Sequence, residues 1–321
     1  MNSIDISGSG KVAVLLASYN GADYITLQLE SILNQTYESY ICFIHDDGST
    51  DGTREIIQNF TKSHPENFRI IEGDSTGSAK NNFLFLLREI KADYYMFCDQ
   101  DDVWLPEKIE VEKKTLDKCI KRNASSALVY SDLKVVDKDL KDIAQSFYQY
   151  VGIDPYKHSI KELTNTNVFV GCTMLFNREV REEAVLLKET QAIFMHDWLI
   201  GLMAALNGKI CFIQKPLILY RQHGNNEMGA VKHRTFFQRI GKYIRVTKQY
   251  KEARYYVLRR RRVAVELVDI AKDTDVRVFL KDLATIGDYP KYKRINFYLK
   301  NKLLTGVKGP SFNKLFQLLA I

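Results

Sequence analysis

Long apolar runs are missing from this 321-residue chain. No stretch approaches the roughly 18 residues that a bilayer-spanning helix needs. Met1 to Gly10 is polar and rich in Ser and Gly. It lacks a basic stretch followed by an apolar one, so a frayed tail over 1–10 is expected rather than a secretory signal. Cysteine is sparse: Cys42, Cys98, Cys119, Cys172 and Cys211 are odd in number, widely spaced and never Cys-x-x-Cys. That disfavours a disulfide framework and a zinc cluster, and reduced thiols in a cytoplasmic protein are expected. Internal repeats are absent, and the one low-complexity run is Arg259-Arg260-Arg261-Arg262.

What remains suffices to fold. Hydrophobic residues make up 45% and charged residues 26%, an ordinary globular balance for one large domain or one and a half. The net charge of +7 conceals an asymmetry. Residues 230–321 hold 22 Lys and Arg against 7 Asp and Glu, a net of +15; residues 1–229 hold 24 against 32, a net of −8. A mildly acidic front joined to a strongly basic back implies two functional parts.

The front alternates strand-like and helix-like segments. Lys11–Ala17, Tyr40–Ile44, Phe68–Ile71 and Asp93–Cys98 read as short buried strands. Asp23–Thr36, Thr50–Ser63 and Ala79–Lys91 carry apolar residues at helical spacing between them. This order predicts an α/β domain, a mostly parallel central sheet flanked by helices. Further on, Pro106–Arg122 and His196–Leu206 read as helices. Ala127–Tyr130, Val168–Phe176, Lys209–Ile213 and Leu217–Tyr220 read as strands. Sheets of this kind bind ligands beyond the carboxyl ends of their strands. Ser18-Tyr19-Asn20, Asp46-Asp47-Gly48-Ser49 and Asp99-Gln100-Asp101-Asp102 each follow a strand directly, so they share one rim.

Asp99-Gln100-Asp101-Asp102 packs three carboxylates into four residues. They repel one another unless a positive charge joins them, and a divalent cation with hard oxygen ligands would do so. Such a cation can grip a diphosphate leaving group. A solvated acidic loop is the plain alternative, weakened by the apolar strand before it and Val103-Trp104 after it. In His45-Asp46-Asp47-Gly48-Ser49, a strand-end carboxylate can accept from the N3–H of a pyrimidine base, or it can merely cap the next helix. Asp197 opens a helix, where it could be a cap or a base. His223 stands as a metal or diphosphate ligand or as an ordinary surface histidine, and Arg221 could meet a diphosphate bidentately.

These clusters, taken together, resemble glycosyltransferase family 2, the inverting enzymes of the GT-A fold. The matching stretches are VLLASYNGADYITLQLESILNQTY (14–37), IHDDGSTDGT (44–53), YYMFCDQDDVW (94–104), FVGCTMLF (169–176), FMHDWLIGLMAALNGKI (194–210) and YRQHGNN (220–226). Within that family the chain looks most like bacterial rhamnosyltransferases. The resemblance implies that Tyr19 and Asp47 hold a pyrimidine base, with Ser18 and Asn20 beside them and Asn82 in the flanking helix. It implies that Asp101 ligates Mg²⁺ or Mn²⁺, with Asp99 near the ribose, diphosphate and metal, and with His223 completing the site. It implies that Asp197 is the catalytic base, between His196 and Trp198. Asp102, Trp198 and Arg221 are further candidates. The implied reaction moves one sugar, rhamnose from dTDP-rhamnose or else a hexose from a UDP-sugar. The acceptor would be a saccharide or a polyprenyl-diphosphate-linked saccharide in cell-surface polysaccharide synthesis. The Gln-x-x-Arg-Trp stretch of many processive members is absent, so single transfer is implied. A nucleotidyltransferase would also want paired acids and Mg²⁺. It should carry a glycine-rich, Lys/Arg-bearing phosphate loop after the first strand, and none is present.

The reading divides the chain into a tail (1–10), a catalytic domain (11–229) and a basic helical extension (230–321). Phe236, Phe237, Ile240, Tyr243 and Ile244 recur at helical spacing among basic residues, as do Ile295, Phe297, Tyr298 and Leu299. Two readings stand for this part. Basic amphipathic helices can bind an anionic membrane surface, which would make the protein peripheral on the inner face of the cell membrane. They can equally pack on the catalytic domain. No nucleic-acid motif is present, and no nucleic-acid partner is expected.

Overall fold

The computed structural model describes residues 4–120, 126–187, 192–193, 195–223, 245–304 and 321, with backbone alone over 245–253. The first half alternates as its apolar periodicity predicts. β1 (Ile4–Asp5) and β2 (Val12–Ser18) precede α1 (Ile25–Leu33), β3 (Tyr40–Asp46) and α2 (Thr53–Ser63). β4 (Phe68–Ile70), α3 (Ala79–Glu89), β5 (Ile90–Lys91) and β6 (Tyr94–Asp99) follow. Then come β7 (Val103–Trp104), α4 (Lys108–Ile120), β8 (Ser126–Val136), β9 (Asp142–Ala144), α5 (Phe147–Val151) and α6 (Ile160–Leu163). β10 (Met174–Asn177), α7 (Arg178–Leu186), α8 (His196–Asn207) and β11 (Gly208–Arg221) close the front part. Beyond it lie α9 (Arg245–Leu267), α10 (Thr274–Thr285) and α11 (Lys291–Lys300).

The main sheet runs β4-β3-β2-β6-β10-β8-β11-β7, with β9 beside β8. β4, β3, β2 and β6 are mutually parallel, as expected from their helical crossovers. β10 then enters antiparallel to both β6 and β8, and the second half is mixed. The helix-flanked α/β sheet is the one the sequence predicts, with a mixed rather than parallel second half. Every residue of β2 is buried, because helices cover both faces. α1, α2 and α4 supply the cluster on one face around Leu16, Ile44 and Met96. α3, α7 and α8 supply the other, around Leu15, Phe97 and Tyr130.

The register fixes heights along the sheet. Leu175 of β10 pairs with Met96 of β6 on one side and Val129 of β8 on the other. Three residues on, Asp99 and Asp132 therefore stand level. They share the face of Phe97 and Tyr130, two strands apart, or about 10 Å at the usual strand spacing.

Four expectations change. Residues 4–10 are not frayed: β1 pairs in parallel with β5, and the N–H groups of Gly8 and Gly10 donate to the Asp93 carboxylate at 3.1 and 2.9 Å. Val168–Phe176 is not one strand: pairing begins at Met174, and Gly171–Thr173 is a tight helical turn. The two short strands expected over 209–220 are one bent strand, β11, with irregular register around Pro216. Cys119 and Cys211 are disulfide-bonded, although 92 residues apart, because α4 packs on β11; Cys42, Cys98 and Cys172 are free and buried.

The expected boundary at 229/230, the stretch Phe236–Ile244 and the loop Gly224-Asn225-Asn226 lie outside the described residues. The C-terminal helices that are described pack on the front part. Val263 and Leu267 of α9, Leu280 and Leu283 of α10 and Tyr298 of α11 join the cluster that contains Phe97 and Tyr130. Two members of the arginine run turn inward. Arg259 donates to the Asn165 carbonyl at 2.8 Å, and Arg260 reaches the Asn165 side chain and the Leu303 carbonyl. Among the described residues no helix is long and apolar enough to cross a membrane.

Candidate active site

The rim of β2, β3 and β6 is built by short polar links between neighbouring strand ends. Ser18 ends β2 and donates to Asp46 at the end of β3, at 3.0 Å. Asp47 is buried, and its carboxylate accepts the backbone N–H of Thr76 and of Gly77, the latter at 3.0 Å. Asn20 takes a positive φ of 49°, a conformation that asparagine tolerates. Its side chain accepts the Thr50 N–H at 2.9 Å. Gln100 pairs both backbone groups of Tyr19 at 2.8 Å, which leaves the Tyr19 ring 57% exposed above the rim. Asn82 is buried beneath it, against His45 at 2.8 Å and the Ser18 carbonyl at 3.4 Å. Its amide therefore braces the two strand ends from below.

The acid cluster forms at the end of β6. Asp99 and Asp102 come together with the Cys172 thiol, their ligating atoms within 4.8 Å of one another. Asp102 is fully buried; one carboxyl oxygen accepts the Arg221 N–H at 3.1 Å, and the other has no hydrogen-bond partner. Burial first, then the charges of Asp101 and Asp99, push its carboxyl well above the ordinary range. An orphaned buried oxygen amid repelling acids fits a site that takes a divalent cation. Cys172 is a poor ligand for a hard cation, and burial holds its thiol protonated. It serves better as a neutral neighbour to Asp102.

The end of β11 closes the cluster from the other side. His223 Nε2 lies 2.7 Å from Asp101 Oδ2, and its ring stacks on Tyr24 with centroids 4.6 Å apart. Arg221 is buried; it donates to the carbonyls of Asp101 at 2.8 Å and Lys138 at 2.6 Å. Those bonds make Arg221 a brace for the acidic loop rather than an outstretched phosphate ligand.

Asp197 lies in the first turn of α8, and its surroundings are different. It is buried, and one oxygen accepts the Trp198 N–H at 2.6 Å and the Asn167 amide at 3.0 Å. Burial raises its carboxyl to about 6, against the downward pull of those hydrogen bonds. A carboxylate with that proton affinity can accept a proton near neutral pH. Beside it, burial lowers His196 to about 3, so its ring is neutral; it packs on Phe83 and Phe97. A Cβ on Gly171 would fall 2.6 Å from His196 Nε2 and 3.6 Å from Asp197 Cβ, so only glycine fits there. The next residue, Cys172, belongs to the acid cluster. One turn of backbone thus joins Asp197 to Asp102.

The structure brings Ser18, Tyr19, Asn20, Asp47 and Asp99 to one rim and joins Asp101 to His223. Asp197 is tied to that rim through Gly171 and Cys172. Trp198 is not part of the surface: it is fully buried, its indole N–H bonds the Leu163 carbonyl at 2.8 Å, and Arg259 stacks on it. Sequence reading placed Gln100 on the rim without a role, and missed Asn167, Gly171, Cys172 and Tyr24. Gly171 and Cys172 sit inside the FVGCTMLF stretch, and the glycine was the available signal; Asn167 offered none.

Residues 13–184 match the family described as Glycosyl transferase family 2. The dTDP-rhamnosyl transferase RfbG of Shigella flexneri is 32% identical over 239 residues, covering 70% of this chain and 78% of the relative. S. aureus TarS in complex with UDP-GlcNAc superposes with a TM-score of 0.58 at 15% identity, over 97% of this chain and 79% of that one. The mannosyltransferase PcManGT of Pyrobaculum calidifontis, in complex with GDP-Man and Mn²⁺, superposes with a TM-score of 0.51 at 15% identity. That match covers 97% of this chain and 85% of the other.

Proposed function

We infer the reaction from one premise: this chain belongs to glycosyl transferase family 2 and is a glycosyltransferase that uses a nucleotide-sugar donor. The reading we propose is single, inverting transfer of rhamnose from dTDP-rhamnose to a saccharide or polyprenyl-diphosphate-linked acceptor. The observation that carries it is the pairing of two unlike acid sites across Gly171-Cys172: a crowded cluster that calls for a cation, and a lone buried carboxylate poised near pH 6.

On this reading Asp99 and Asp101 hold Mg²⁺ or Mn²⁺, with His223 and Asp102 completing the shell. The metal, when bound, neutralises the donor diphosphate and the charge it gains on leaving. Tyr19 offers its exposed ring to the base. Asp47, with Ser18, Asn20 and Asn82 behind it, shapes the base and ribose end. Asp197 takes the acceptor hydroxyl proton as that oxygen attacks the anomeric carbon opposite the diphosphate. The donor choice rests on the 32% identical rhamnosyl transferase; a UDP-hexose is the second reading, favoured by the UDP-GlcNAc complex of TarS. Incubating the protein with dTDP-rhamnose, UDP-glucose and UDP-galactose plus Mn²⁺, and measuring free nucleotide, decides between them. Release of dTDP alone supports the first reading, and release of UDP alone overturns it.

The basic C-terminal part would hold the enzyme at the inner face of the cell membrane, where a lipid-linked acceptor is presented. Exposed Tyr255, Tyr256, Tyr289 and Tyr292 among its cations support that placement. Sedimentation with anionic vesicles at low salt, reversed at high salt, is the expected result. Equal partition onto neutral vesicles would contradict it.

A further inference from the structure

A cavity of about 940 Å³ opens between β8, β11 and the segment 145–168. It is at the upper end of the roughly 300–1,000 Å³ of ligand pockets. Asp132 lines it, and stands level with Asp99 on the same face of the sheet, two strands across. Its inner wall includes Thr166 and Val168, which flank Asn167, and Asn167 donates to Asp197 at 3.0 Å. Tyr148, also lining, donates its hydroxyl to the Val168 carbonyl at 3.0 Å. Asp197 is thus joined to the acid cluster through Gly171 and Cys172, and to the segment that walls this cavity through Asn167.

The lining combines aromatic and hydrogen-bonding side chains. Tyr156 is 64% exposed at the mouth and meets Phe212 edge to face, with centroids 5.4 Å apart. Such a corner offers an aromatic plane to the C–H face of a pyranose. Gln149 and Asp154 supply hydrogen-bonding groups around it, and the carboxyl residues Asp132, Asp154 and Glu162 outnumber the one lysine, Lys157. That balance disfavours an anionic occupant.

We propose that this cavity is the acceptor site, and that it takes a neutral saccharide of at least two units stacked on Tyr156 and Phe212. The assignment rests on the glycosyltransferase reading but not on the donor. Saturation-transfer NMR with p-nitrophenyl β-lactoside tests it without any donor. Tyr156→Ala removes the exposed platform, and Thr166→Trp fills the wall. Wild-type protein should saturate the sugar protons; Tyr156→Ala should cut the effect at least about fivefold, the loss of one aromatic contact, and Thr166→Trp should cut it as far by occupying the space. Melting temperature and the thermal shift given by dTDP or UDP with Mn²⁺ should stay as in wild type. p-Nitrophenyl β-glucuronide should bind more weakly than p-nitrophenyl β-glucoside. No saturation in wild type, equal saturation in both variants, or preference for the glucuronide overturns the assignment. Absence of any nucleotide shift would instead count against the donor reading alone.

Discussion

Two buried carboxylates, Asp102 and Asp197, flank the same turn, Gly171–Thr173, in different company. Asp102 is buried among acids, with a carboxyl oxygen that lacks a partner. Asp197 is buried alone, with two donors on one oxygen and apolar rings around its neighbour His196. Both resist ionisation, for different reasons. The first is relieved by a cation; the second is relieved only by a proton. One residue type is thereby fitted to two tasks, and surroundings rather than identity make the difference.

The largest effect should come from removing the lone carboxylate's chemistry while keeping its shape. Asp197→Asn should lower transfer by about 10²–10⁴, the usual worth of a positioned base, with nucleotide binding retained. Initial rates and a dTDP–Mn²⁺ thermal shift check both halves. The same variant should be no less stable. A carboxyl held at about 6 in the fold, above the ordinary 3.8, gives stability that is full below about pH 4 and is surrendered as pH rises through 6. That amounts to on the order of 3 kcal/mol. Melting at pH 8 should therefore stay level or rise.

The crowded cluster around Asp102 should fail differently. Asp101→Asn should lower transfer about a hundredfold and abolish the Mn²⁺-dependent part of the nucleotide shift, since a bound metal contributes several kcal/mol. If metal dependence survives, the cluster is not the cation site. Asn167→Ala should cost about tenfold, through loss of one hydrogen bond to the charged carboxylate. Gly171→Ala should be the mildest in turnover; crowding of His196 should appear mainly as a fall in melting temperature worth about 1–3 kcal/mol.

The acid half was far more legible in the sequence than the other. Asp47, Asp99 and Asp101 follow apolar strands of uniform period, so the alternation alone puts them on one rim. Asn167 lies in an irregular segment with no period to read, and its partner is 30 residues away. The strand expected from Val168 failed because Gly171–Thr173 turns before pairing begins. Trp198 is adjacent to Asp197, yet helical geometry sends it into the core. Arg221 could meet a diphosphate by charge, but its Nε and Nη1 donate to carbonyls that only the folded chain brings near.

The pH dependence of transfer at saturating donor tests the contrast most directly, in wild type and in Asn167→Ala. A single acid limb near pH 6 is expected in wild type. It should move to higher pH in the variant, because the lost hydrogen bond had favoured the charged form. A rate flat down to about pH 4.5, or a limb unmoved by the substitution, would contradict a lone buried base at Asp197.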